Sequence, residues 1–154
     1  MSALAPATIV AMNNPYGSDA RMALYPAPQG SAGHRLYCMM RDAGLAAQPS
    51  RIVRRSDYLC LERRNVLAAR EWRETEARRA GRRLREELAG RRLIVCGVRT
   101  LAVLELERPP DWGQWWRSEG TEYALVPHPS GRCREYNDPA LVRRTGELLL
   151  GLLP

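Results

Sequence analysis

Two short stretches of this chain hold residue types that can do chemistry. One is Asn13-Asn14-Pro15-Tyr16-Gly17, and the other is Val126-Pro127-His128-Pro129-Ser130-Gly131-Arg132. The chain has only two histidines, and His128 is one of them. Prolines on both sides restrict the backbone at that imidazole, so the chain itself sets the ring's direction. The Ser130 hydroxyl, a glycine and the Arg132 guanidinium follow at once, and Arg134 lies two residues further on. A rigid turn carrying an imidazole, a hydroxyl and guanidinium groups suits an anionic ligand. The same residues would also make a plain surface turn with a solvated histidine.

The basic residues point to the same kind of ligand. There are 24 of them against 17 acidic residues, for a net charge of +7, and all are arginine because the sequence has no lysine. Arginine forks match phosphate oxygens and stack on bases, so nucleic acid is the expected partner. A GC-rich genome alone produces the same bias. The missing lysine excludes a P-loop lysine and a lysine Schiff base. The four cysteines, Cys38, Cys60, Cys96 and Cys133, are widely spaced and form no C-x-x-C pair. Reduced thiols in the cytoplasm are the expectation. His34 and Cys38 stand four apart on an expected helix, but two such groups do not make a zinc site. No metal and no cofactor is expected. No apolar run approaches ~18 residues, so no membrane span is expected. Met1 to Ala11 has neither a basic region nor a long apolar stretch, unlike a secretion signal. With 154 residues, 45% of them hydrophobic, the chain reads as one domain over 1–154, and as a monomer.

The elements that must position these residues follow from hydrophobic period and turn signals. Thr8 to Met12 reads as a strand that ends at the Asn-Asn-Pro-Tyr-Gly turn. Ser31 can cap a helix to about Asp42, with Leu36, Met39, Met40 and Ala43 facing inward and Gly44 ending it. Tyr58 to Leu61 reads as the second strand, closed by Glu62-Arg63-Arg64-Asn65. A charged helix runs from roughly Glu71 to Leu88, and its arginines, interleaved with glutamates, read as a solvated face. Arg92 to Cys96 reads as a third strand, with a helix from Gly97 to about Leu106. A loop rich in Pro and Trp, from Pro109 to Trp116, precedes a fourth strand at Tyr123 to Val126, and Pro139 opens a last helix that ends near Leu153. This alternation predicts an α/β fold, three layers deep, around a four-stranded and mainly parallel sheet. In such sheets the ligand crevice lies beyond the carboxyl ends of the strands. Asn14 and Tyr16 after strand one, Asn65 after strand two, and His128 and Ser130 after strand four would converge there.

At this point the two stretches resemble the signature motifs of the uracil-DNA glycosylase superfamily. Its first motif reads Asp-Pro-Tyr or Asn-Pro-Gly, and its second begins His-Pro-Ser. Asn14-Pro15-Tyr16 mixes the two branches, and His128-Pro129-Ser130 matches the second motif in the expected order. The resemblance covers most of the chain. It implies that His128 hydrogen-bonds a pyrimidine carbonyl, that Asn14 places the attacking water, and that Asn65 reads the base edge. It implies also that Ser130 grips the DNA backbone, and that Arg132 and Arg134 lie where the family inserts a wedge into DNA. The family stacks its base on a phenylalanine. This chain has none, and Tyr25 is the nearest aromatic substitute. Tyr16 resembles the side chain that excludes a 5-methyl group. The cysteine spacing does not support the family's iron–sulfur branch.

The expected function is therefore a monofunctional DNA glycosylase. It would release uracil or a 5-substituted pyrimidine, such as a phage-modified base, in base excision repair or anti-phage defence. Two other functions fit the same residues. One is a nucleic-acid-binding module with a weak site, suggested by Asn14 in place of a carboxylate. The other is an N-glycosidase acting on free nucleosides or nucleotides.

Overall fold

Alternating side chains along the strands decide the architecture. The computed structural model describes residues 4–14 and 17–154. Strands β1 (Ala7–Asn13), β2 (Glu62–Leu67), β3 (Arg92–Cys96), β4 (Trp115–Ser118) and β5 (Thr121–Val126) form one sheet in the order β2-β1-β3-β5-β4. All neighbours pair parallel except β4, which runs antiparallel along the edge of β5. Successive strand residues face opposite sides. Val10, Leu93, Val95, Tyr123 and Leu125 belong to one core, while Ile9, Ala11, Ile94, Cys96 and Val126 belong to the other. Helices α3 (Glu74–Glu87) and α4 (Val98–Val103) cover the first face. Helices α1 (Ala32–Ala47), α2 (Arg55–Leu59) and α5 (Pro139–Leu150) cover the second. The result is the expected three-layer α/β arrangement, with five strands rather than four. Among the described residues, no helix is long and apolar enough to cross a membrane.

Three sequence expectations need correction. The second strand is Glu62–Leu67, the charged stretch read as its closing turn. Tyr58 and Leu59 instead finish the short helix α2, whose first turn is held by the Asp57 carboxylate accepting from Arg54 N–H at 2.7 Å. A strand this polar is stable because it is the outermost one, where charged side chains reach water and blunt the edge. Arg64 and Glu62 meet Glu87 and Arg91 there. The missed strand, β4, hides in the stretch read as a Pro/Trp loop. Its hairpin turns on Glu119 and Gly120, at φ 50° and 77°, the paired left-handed geometry that two-residue hairpins require. Gly44 does not end α1, which continues to Ala47 with Gly44 buried against Val53.

Candidate active site

The carboxyl ends of β1, β2 and β5 open into a cleft of about 320 Å³. Asn14, Asn65, His128 and Tyr25 all line it, together with residues at the start of α1. Three stretches far apart in sequence, the β1–α1 connection, β2 and the turn after β5, thus bring four of the expected site residues to one place. The structure moves one of them slightly. Asn65 lies within β2, level with Ala11 in the parallel register, rather than after the strand.

Backbone pairing fixes Asn14. Its N–H donates to the Leu67 carbonyl at 2.9 Å, one residue beyond the β1 ladder. Its side-chain amide donates to the Asp19 carbonyl at 3.3 Å, and the residue is only 4% exposed. The neighbouring Asn13 ties the loop after β2 to the cleft by donating to the Ala69 and Arg70 carbonyls at 3.1 and 2.7 Å.

Asn65 presents a different situation. Its amide oxygen is buried and has no hydrogen-bond partner among the described residues. Such an acceptor costs about 1–3 kcal/mol while it stays unpaired. An N–H from a bound heterocycle would remove that cost.

His128 sits at the end of β5, partly buried, and its ring has no hydrogen-bond partner among the described residues. Gly97, at φ 93°, lets it lie close to the end of β3. A side-chain carbon at position 97 would stand 3.1 Å from His128 Cβ. Burial lowers the imidazole pKa below its ordinary 6.5, so the ring is neutral at pH 7 and offers one N–H donor.

This lowered pKa has a consequence for stability. The unfolded chain takes up the proton at higher pH than the folded protein does. Stability should therefore decline as pH falls through 6.5, until the folded pKa is passed. Urea unfolding at pH 7.5 and at pH 5 should show a larger loss for the wild type than for His128→Gln. Equal losses would mean that the imidazole is not desolvated.

Tyr25 forms a wall whose backbone is held at four consecutive carbonyls. Arg63 donates to Ala23 at 2.7 Å, Tyr58 to Leu24 at 2.7 Å, Ser31 to Tyr25 at 3.4 Å and Arg55 to Pro26 at 3.4 Å. Leu24 adopts φ 48°, a left-handed conformation that costs a leucine energy and that these four bonds hold in place. Gly33 lets α1 press against this wall. A Cβ there would fall 2.1–2.2 Å from the Leu24 and Tyr25 carbonyl oxygens.

Ser130, Arg132 and Arg134 do not line the cleft. Ser130 is half-buried in the turn after His128, its carbonyl accepting from Cys133 N–H at 3.2 Å, and both arginines are exposed beside it. Tyr16 lies outside the described residues. Sequence reasoning missed Leu24 and Gly33 and read Ser31 only as a helix cap, a role it does fill by accepting from His34 N–H at 3.2 Å. The available signal was a glycine in the first turn of a helix, which marks a close backbone approach.

Arginines lie at both ends of the sheet, some in ion pairs and some not, with Arg21 paired to Asp19 beside the cleft and Arg92 without an ion pair at the opposite end among the described residues. Arg35, Arg70, Arg99, Arg132 and Arg134 surround the cleft end of the sheet and form no ion pair among the described residues. At the opposite end, Arg82, Arg85 and Arg91 pair with Glu105, Glu119 and Glu62. The charged face of α3 is solvated, as its sequence implies, with Arg78 also paired to Glu74.

No carboxylate lines the cleft among the described residues. It can hold a flat polar ring against Tyr25, read one edge with Asn65, donate a hydrogen bond from neutral His128, and orient a water with Asn14. Asp19, whose carboxylate pairs with Arg21, lines the adjoining hollow that shares Asn14 and Asn65. No family model matches this chain, and no curated protein matches it.

Proposed function

We propose that this protein is a monofunctional DNA glycosylase acting on a pyrimidine turned out of the helix. The observation that carries this reading is the convergence of Asn14, Tyr25, Asn65 and His128 on one cleft at the carboxyl ends of parallel strands. A base inside a duplex must leave the stack before its glycosidic bond can be reached. In the cleft it would lie on Tyr25 with its edge toward the unpaired Asn65 oxygen. The bond between C1′ and the ring nitrogen breaks, and its electron pair moves onto the base. His128 donates its N–H to the base carbonyl as negative charge develops there. Water held by Asn14 adds to C1′ and loses its proton to solvent, since an amide is no base at neutral pH. The unpaired arginines around the cleft, Arg132 and Arg134 among them, suit the phosphates on either side.

Asn14 in place of a carboxylate favours one second reading, a nucleic-acid-binding module with weak catalysis. Incubation with oligonucleotides containing uracil, other deaminated bases or 5-substituted pyrimidines, followed by alkaline cleavage at abasic sites, separates the two. Abasic product supports the glycosylase. Salt-dependent binding without product supports the module. Base release from nucleosides alone, with DNA left intact, would point to a small-molecule N-glycosidase.

The missing lysine makes a further prediction. A glycosylase that also cuts the strand needs an amine for a Schiff base, and this chain has no lysine to supply one. The strand should stay intact until heated or treated with alkali. A covalent protein–DNA adduct trapped by borohydride, with strand cleavage at neutral pH, would overturn the monofunctional reading.

A further inference from the structure

Among the described residues, no side chain hydrogen-bonds the His128 ring. Catalytic imidazoles ordinarily take their direction from a hydrogen bond to the second ring nitrogen. Here direction must come from the turn itself, and that turn is poor in donors because Pro127 and Pro129 have no N–H. Among the described residues, a single hydrogen bond reaches residues 127–129. The Tyr136 hydroxyl donates to the Pro127 carbonyl at 2.7 Å. Tyr136 stands on the one-turn 3-10 helix Arg134–Asn137 that follows the His-Pro-Ser-Gly turn. Its oxygen in turn accepts from the Thr145 hydroxyl at 3.5 Å. Thr145 is fully buried on α5. That helix is pressed against α1, because a Cβ on Gly146 would fall 2.2 Å from the Met39 carbonyl. The far end of the relay therefore cannot shift.

We propose that Tyr136, seated by Thr145, is the positioning residue that sets the direction of the His128 imidazole through the Pro127 carbonyl. The proposal rests on His128 being the donor to the departing base. Each hydroxyl in the chain gives one proton forward, so the relay has a single sense from α5 to the turn. Burial raises the Tyr136 pKa, which keeps the phenol protonated and donating across the working range.

Tyr136→Phe keeps the ring and removes the hydroxyl. Its kcat should fall about tenfold or more with KM little changed, in the range that misplacing a reacting group costs. Thr145→Val, which keeps the shape, should give a smaller fall. The double variant should be no slower than Tyr136→Phe, because Thr145 acts only through Tyr136. The His128 ring resonance in NMR should shift or broaden in Tyr136→Phe at unchanged Tm. A wild-type kcat and an unmoved His128 resonance in Tyr136→Phe would overturn the proposal. So would falls for the two single variants that simply add. If His128→Ala also excises at the wild-type rate, the role of His128 fails instead, and the resonance comparison still decides whether Tyr136 positions the ring.

Discussion

Replacing His128 with alanine should slow base excision by about 10²–10³-fold, roughly the 2.7–4 kcal/mol that one lost donor to a developing oxyanion costs. The size of the effect follows from the surroundings of the ring. His128 is partly buried and neutral, and among the described residues no carboxylate lines its cleft to take over its work. An N–H in such a place acts through a lower dielectric than water, so its loss is not made good by solvent. The fold should survive, because the side chain lies on a turn and forms no hydrogen bond among the described residues. Single-turnover kinetics on a pyrimidine-containing oligonucleotide, with circular dichroism as the check on folding, measure this directly. A rate within threefold of wild type would remove His128 from the chemistry.

Gly33→Ala should be the most damaging single methyl in the chain's cleft. The added carbon would sit 2.1–2.2 Å from two backbone oxygens, those of Leu24 and Tyr25. Those oxygens cannot step aside, because Tyr58 and Ser31 hold them. Alanine's helix propensity favours the substitution by about 1 kcal/mol. Overpacking of this kind costs about 3 kcal/mol, so the clash wins. The base wall would move with it, and excision should weaken through KM. Gly44→Ala gives a contrast on the same helix. Its new carbon would meet side chains rather than backbone, Val53 at 2.7 Å and Leu150 at 3.6 Å. That variant should lose less stability and keep normal excision. Thermal unfolding and steady-state kinetics on both variants test the pair, and equal damage from the two would show that the wall is not rigid.

The readability of this chain divides along physical lines. β1, β3 and β5 were legible because each is a run of Val, Ile, Leu and Ala buried on both faces. β2 was misplaced by four residues because an edge strand carries charges that central strands exclude. β4 was hidden because its turn rests on Glu119 in a left-handed conformation, where the usual signal is Asn or Asp. Asn14 and His128 were readable because their types and their places after strands both pointed to a crevice, while Asn65 reaches it from within a strand that was misplaced. Tyr136 was not, since its role depends on a contact with the backbone of Pro127 nine residues away. Nothing in the spacing announces such a contact. The same holds for Arg55 and Arg63, whose ties to the carbonyls of the Tyr25 wall depend on contacts that no spacing announces.

On the proposed reading, the arginines near the cleft mouth bear on how a polyanion is captured. Arg35, Arg70, Arg99, Arg132 and Arg134 form no ion pair among the described residues. Were the ligand the proposed nucleic acid, these guanidinium groups would draw its phosphates toward the mouth before contact. Encounters are then productive more often than random collision allows, and the gain lies in the association rate. At 0.15 M salt the field fades within about 8 Å, so added salt should slow capture far more than it hastens release.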